Sequence, residues 1–426
     1  MVCAMALMAA AATDGRAAAS QPGTRGAPAA QSDALPALVA RELQGRKGIC
    51  LDLCCGDGRL AAAIAKSSEL VVFALAGNDK ACESAREVLD KAGLHGSRPT
   101  VAVGSSKQIP LPNGYCNLIV AGQLPPEIDF HEIARVLNPN GVAVVGGADA
   151  DTGKLRSQAA QAGIADSRTD GTYLVIRGRM PEGSDDWTHI HRGPDNNRVS
   201  LDESIRPPFR TQWLASAYGW TLAAEGRILI KPWIMGHSTV KTHRFLVRDG
   251  QNGAVLWEHE ARDRGVWAAD TLMVADRVYT IDARKSIVVL DAGTGKEIAT
   301  FKVPAGSDAE CAGWYSMAFQ NNVLYVVGDA KGRKVDPVSR GIPLGTKPWV
   351  ADRFFALDAE DGRLLWVYKA EPPVNYGSLA LGPEAAFFAS GSGAIAVDLR
   401  TGTQLWRNPD IRVNPGLHPA GVGGAI

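Results

Sequence analysis

From Leu35 to about residue 180, short apolar runs alternate with segments in which apolar residues recur every three or four positions. Strands alternating with amphipathic helices in this way signal a parallel sheet with helices on its faces. ICLDL (49–53), LVVFALA (70–76), TVAVG (100–104), NLIVAG (117–122) and GVAVVGG (141–147) read as strands. RLAAAIAK (59–66), KACESAREVLDKAG (80–93, closed by Gly93) and EIARVLN (132–138) read as helices. The pattern predicts a doubly wound α/β sheet, which binds ligands beyond the carboxyl ends of its strands where the strand order reverses.

Beyond residue 209 the pattern becomes a repeat: RFLVRDGQNGAVLW (244–257), SIVVLDAGTGKEIA (286–299), RFFALDAEDGRLLW (353–366) and GAIAVDLRTGTQLW (393–406). Each copy has an Asp with a Gly four residues later, and Trp257, Trp366 and Trp406 stand eight residues after their Asp, Ala299 being the exception. The spacing predicts a hairpin whose turn is closed by the Asp side chain and by a glycine at positive φ. A further strand precedes each copy, at 226–232, 276–282, 321–328 and 384–390. Sheets of about 40 residues are of propeller-blade size, with the Trp as a wedge between blades. The longest interval between copies holds a Pro/Gly/Lys-rich insertion from about Lys331 to Val350.

All ten Trp residues lie at or beyond Trp187, which marks a change of domain. The expected layout is an apolar, low-complexity segment over 1–34, an α/β domain over 35–180, a linker over 181–209 and propeller repeats over 210–426. The charge is balanced, 45 basic against 45 acidic residues, so no nucleic-acid partner is expected. Val2 to Ala12 has the length of a signal-peptide core and is too short to cross a bilayer, although no basic segment precedes it. Periplasmic or exported location is the expectation, with the cytoplasm as the alternative. Of the seven Cys, five fall in apolar segments of the α/β half, and no disulfide framework is indicated.

The chemistry-bearing stretch is LDLCCGDGRLAAAIA (51–65), a strand ending in a Gly-x-Gly turn that opens a helix. With SARE on the next helix, IPLPNGYCNLIVA entering a strand and ARVLNPNGVAVV after it, the first half resembles the class I S-adenosylmethionine-dependent methyltransferases over about 145 residues. That resemblance implies a Rossmann-like fold and cofactor contacts from Asp52, Cys54, Gly56, Asp57 and Gly58, with Cys54 standing where the family usually has its first glycine. The ribose-binding carboxylate of the family falls on Ala76, the adenine-side acid on Ser105 after Gly104, and the Asp that commonly opens the fourth strand on Asn117. Asn78 or Asp79 is the substitute candidate for gripping the ribose. Each lost polar partner forfeits about 1–3 kcal/mol, enough together to weaken binding a hundredfold or more. No catalytic residue is identifiable from spacing, since methyl transfer needs mainly positioning. AGQLPPE (121–127) lacks the Asn and aromatic of the amino-methylating signature.

The repeats resemble the pyrroloquinoline-quinone-type β-propeller family, which includes quinoprotein dehydrogenases and an outer-membrane assembly scaffold. Four copies imply a partial propeller and a protein partner rather than the quinone, because the adjacent Cys pair, Cys54 and Cys55, lies in the other half. His189 and His191, with His237, His243 or His259, are permissive for a metal, but the expectation is no metal and hydrogen-bonded histidines between the domains. Asp185, Asp186, Asp195, Asn196 and Asn197 suit turns and caps. Two functions stand first, methylation of an acceptor recruited by the propeller and a non-enzymatic envelope or surface scaffold; a quinoprotein oxidoreductase, which would need the quinone and Ca²⁺, is the third and less favoured.

Overall fold

A computed structural model describes residues 34–94, 96–125, 127–208, 211–215, 219–232, 243–261, 270–302, 311–330, 350–390 and 393–411. The apolar leader, His237 and nearly all of the Lys331–Val350 insertion lie outside the described residues. No described helix is long and apolar enough to cross a membrane.

The first half runs α1 (Ala34–Leu43), β1 (Ile49–Asp52), α2 (Arg59–Ser67), β2 (Val71–Ala76), α3 (Asp79–Lys91), β3 (Pro99–Val103), β4 (Cys116–Ala121), α4 (Phe130–Val136), β5 (Leu137–Gly146), α5 (Thr152–Gln161), β6 (Ser167–Asp170) and β7 (Tyr173–Arg177). They form one sheet in the order β3-β2-β1-β4-β5-β7-β6. β1 to β5 are parallel, β7 is antiparallel to β5, and the order reverses between β1 and β4. Alternate residues of the central strands feed opposite cores: Cys50, Leu118 and Val120 one, Leu51, Ile119 and Ala121 the other. Burial on both faces is why these strands read as continuous apolar runs. α4 starts earlier than expected because Asp129 caps it through the His131 amide, and it ends at Val136 because Asn138 precedes Pro139 and stays extended.

Among the described residues, the second half builds four antiparallel blades. The first contains β8 (Gly219–Ala224), β9 (Arg227–Pro232), β10 (His243–Asp249) and β11 (Val255–Ala261); the second β12 (Thr271–Val274), β13 (Arg277–Asp282), β14 (Ser286–Asp291) and β15 (Glu297–Lys302). The third contains β16 (Cys311–Gln320), β17 (Val323–Ala330), β18 (Val350–Asp358) and β19 (Leu364–Asn375); the fourth β20 (Ala380–Leu381), β21 (Ala385–Ser390), β22 (Gly393–Asp398) and β23 (Gln404–Asn408). A single pair, Val374 with Ser390, joins the last two into one sheet.

Each repeat turn is closed in the same way. The Gly amide donates to the Asp carbonyl, as Gly295 does to Asp291 at 2.8 Å, while the Asp side chain accepts amides two or three residues on. The glycines also admit an aromatic wedge, from the preceding blade at Gly295 and Gly402 and from the segment before β8 at Gly253. A Cβ on Gly253, Gly295 or Gly402, each at positive φ, would fall 2.6 Å from the ring of Trp213, Trp257 or Trp366. Each of these indoles donates to the carbonyl of the residue after the repeat Asp: Gly250 at 3.0 Å, Ala292 at 2.9 Å and Leu399 at 3.1 Å. Where Ala299 replaces Trp, Phe301 covers Gly362, and Arg277 and Tyr279 donate to the corresponding carbonyl, that of Ala359.

The linker lies along the first strands of all four blades. Trp187 pairs through both backbone groups with Ala223 of β8, and the Thr188 carbonyl accepts from Met273 of β12. The Phe319 amide of β16 donates to His189 Nε2 at 2.9 Å, and Leu381 of β20 donates to the Pro194 carbonyl at 2.8 Å. His189 and Arg192 bridge across a tight turn, which bends the Trp-Thr-His-Ile-His segment. Burial pushes the His189 ring down to about 3, keeping it neutral so that Nε2 accepts.

The halves meet at the amino-terminal edge of the parallel sheet. Asp249, 2% exposed in the first repeat turn, accepts from Asn117 Nδ2 at 2.7 Å and from Asn138 Nδ2 at 2.9 Å. Asn252 Nδ2 donates to the Tyr115 carbonyl and to Asn117 Oδ1, which also accepts the Ile49 amide. A Cβ on Gly48 would fall 2.1 Å from Asn117 Oδ1, so glycine makes room for the junction.

The wedge makes the repeat glycines more demanding than ordinary turn glycines. Gly295→Ala, with φ +70 and the Trp257 ring behind it, is expected to cost about 2–4 kcal/mol in urea unfolding. Gly171→Ala, with φ +58 and open space, is expected to cost about 1 kcal/mol. Equal losses would contradict the wedge.

Candidate functional site

At the reversal of strand order, β1 runs through Leu53 into the turn Cys54–Gly58, beside the carboxyl ends of β2 and β4. The Leu53 amide donates to the Val120 carbonyl at 2.8 Å and the Cys55 amide to the Leu75 carbonyl at 3.0 Å, tying the turn to both neighbouring strands. Gly56 and Gly58 hold positive φ, 53° and 82°. A Cβ on Gly58 would lie 2.9 Å from the Ala85 Cβ, so this glycine lets α2 start against α3. Gln123, just past β4, brings Oε1 to 3.3 Å from where a Gly56 Cβ would stand.

Beneath the turn lies Asp52, fully buried, with neither carboxylate oxygen hydrogen-bonded among the described residues. Burial pushes its carboxyl up to about 7; the Cys54 amide moderates the shift without completing a hydrogen bond. A buried carboxylate with no partner is costly to the folded chain and marks a place where a cationic or hydrogen-donating ligand group would be stabilised.

The other residues expected at the cofactor are placed differently. Asp57 is exposed and accepts the Arg59 amide, with the Arg59 guanidinium 3.0 Å away, so it serves the start of α2. Asn78 caps α3 by accepting the Ala81 amide at 2.9 Å, and Asp79 is the first residue of that exposed helix end. Ser105 is exposed and accepts the Lys107 amide in its own turn. Ala76, at the end of β2, is 1% exposed and apolar. The turn therefore has its buried anion, while the ends of β2 and β3 present small neutral side chains where the resemblance implies acids.

Two family models match the chain, one described as a methyltransferase domain over residues 50–141 and one as the outer membrane protein assembly factor BamB over residues 243–413. The chain joins a methyltransferase-type domain to BamB-type propeller repeats.

Solved structures resemble each part. A Methanococcus maripaludis protein described as an S-adenosyl-L-methionine-dependent methyltransferase is 20% identical, with 35% of this chain and 85% of that chain covered and a TM-score of 0.33. An Aquifex aeolicus S-adenosylmethionine-dependent methyltransferase is 19% identical, covering 33% and 87%, with a TM-score of 0.28. BamB from Moraxella catarrhalis is 18% identical, covering 47% of this chain and 51% of that one, with a TM-score of 0.30. A comparison with curated proteins found no match.

Two sequence-based expectations change in the methyltransferase-type domain and its neighbour, and one residue at the site was not anticipated. Asn117 is no lost cofactor residue: it opens a parallel strand, so it sits at the edge opposite the turn and binds Asp249 instead. The linker histidines are not between the domains; His189 is bonded inside the propeller and the His191 ring meets Arg198. Gln123 was missed, although the residue after the fourth strand borders the reversal point of such a sheet. Cys50, Cys54, Cys55, Cys82 and Cys116 are free, and burial raises the thiols of Cys54 and Cys55, the latter to about 12, so neither is poised as a thiolate nucleophile.

Asp52 sets a pH dependence of stability. Its carboxyl rises from 3.8 to about 7 on folding, so its favourable contribution is full below about 4 and lost as the pH climbs through 7. Asp52→Asn is therefore expected to stabilise the ligand-free chain by about 2–4 kcal/mol at pH 8, with almost no gain at pH 4. Urea unfolding at both pH values checks this, and a gain independent of pH would contradict an ionised Asp52.

Proposed function

We propose that the amino-terminal domain binds S-adenosylmethionine mainly through its methionine end and that the propeller recruits the methyl acceptor as a protein partner. The observation carrying this reading is the unpartnered Asp52 carboxylate beneath the glycine turn. An amino group seated there would satisfy an anion that the folded chain leaves bare. The ribose and adenine are held weakly, because Ala76 and Ser105 replace acids and Asn78 is committed to its helix cap. Methyl transfer itself asks for in-line placement of the acceptor rather than a named base. The propeller grips the opposite edge of the sheet, which leaves the cofactor crevice accessible to a macromolecular acceptor.

A second reading, a non-enzymatic scaffold, is favoured by those same neutral positions and by repeats matching an outer-membrane assembly factor. Export of the chain would support it, because the sulfonium cofactor is a cytoplasmic metabolite.

Isothermal titration separates the two. The proposal expects measurable S-adenosylmethionine binding, weakened at least tenfold in Asp52→Asn, and tightened by roughly tenfold to a hundredfold in Ala76→Asp, which restores a ribose acceptor. No heat at millimolar ligand in wild type and in Ala76→Asp leaves the scaffold.

A further inference from the structure

A cavity at the domain junction carries more positive charge than its own carboxylates answer. It is lined by Arg46, Lys47 and Arg177 of the methyltransferase-type domain, Arg227 of the first blade, and two acids, Glu42 and Asp249. The acids are already engaged. Glu42 takes the Arg177 guanidinium at 2.8 Å and that of Arg168 at 2.5 Å, and Asp249 is filled by Asn117, Asn138 and its own turn amides. Lys47 pairs with Glu69 outside the cavity.

Arg46 and Arg227 remain, one from each domain. Arg227 is 9% exposed, yet its side chain makes no hydrogen bond or ion pair among the described residues; Glu225, Asp249 and Asp291 act on it only at longer range. The Arg46 guanidinium lies against the second repeat turn, its Nε 3.4 Å from where a Gly293 Cβ would stand, and it also lacks a side-chain partner among the described residues. Burial, reinforced by the charge of Arg46, holds Arg227 below the ordinary arginine range. Two like charges brought together this way destabilise the junction unless an anion lies between them. The surrounding amide side chains, Asn117 and Asn140, add polar lining without adding charge.

We infer that this cavity is a binding site for a small oxyanion of the phosphate class, clamped between Arg46 and Arg227 and bridging the two domains. Guanidinium forks suit the paired oxygens of such an anion, and a ligand touching both domains stabilises their union as well as each part. The site is separate from the Asp52 crevice, lying at the amino-terminal edge of the sheet, so it stands whether or not S-adenosylmethionine binds.

The test uses the full chain and inorganic phosphate, with ionic strength held constant by sodium chloride. Phosphate is expected to raise the melting temperature saturably, and calorimetry to give a half-saturation concentration that rises at least tenfold in Arg227→Gln and in Arg46→Gln. Lys91→Gln, on the exposed face of α3, is expected to behave as wild type. Arg46 is only half-buried, so its variant keeps the test valid if the Arg227 variant does not fold. Sodium chloride reproducing the whole shift, or Arg46→Gln responding like wild type, would overturn the proposal.

Discussion

One buried carboxylate lies at the centre of the contact between the two halves. Asp249 closes the first repeat turn with one oxygen and joins the methyltransferase-type domain with both, through Asn117 and Asn138. Leaving a carboxylate that is 2% exposed without those donors would cost about 3–5 kcal/mol. The contact falls at the amino-terminal edge of the parallel sheet, where strands begin, and so fixes which edge remains for ligands. Position of the dock and freedom of the crevice are thus two aspects of one constraint.

The same economy of parts runs through the propeller. An Asp-x-x-x-Gly turn needs its glycine for positive φ, and the empty space this leaves is filled by the aromatic wedge of the preceding blade. The first wedge, Trp213, comes from the linker side of β8, and the linker also supplies hydrogen bonds to the first strand of every blade. Four blades are consequently organised around a segment that belongs to no blade. In the amino-terminal domain Asp52 stands out as a buried carboxyl with neither oxygen hydrogen-bonded among the described residues, the kind of local inconsistency that accompanies ligand sites.

Much of this was legible in the sequence because it depends on local patterns. The strands around Leu51, Val72 and Ile119 are apolar on both faces, and the turns at Asp249, Asp291, Asp358 and Asp398 repeat a fixed spacing. α1, α5, β6 and β7 were not legible: α5 is short and mostly polar, with only Leu155 and Ala159 buried, and β6 is polar and partly exposed. The first strand of each blade escaped because it lies outside the repeated hairpin. The family resemblance singled out Asp52, Gly56 and Gly58, and the structure places them at or beneath one turn, but the fate of Asn78 as a helix cap and of Asn117 as a docking residue depends on contacts the sequence does not display. Asn117 sits 132 residues from Asp249, and nothing in either segment alone announces the pairing.

The most direct measurement is a double-mutant cycle between Asn138→Ala and Asp249→Ala, read by urea unfolding. The cycle subtracts the part of Asp249 that closes its own turn and isolates the bond between the domains. The account expects a coupling of about 1–3 kcal/mol. A coupling indistinguishable from zero would contradict the claim that this carboxylate locks the propeller to the edge of the sheet.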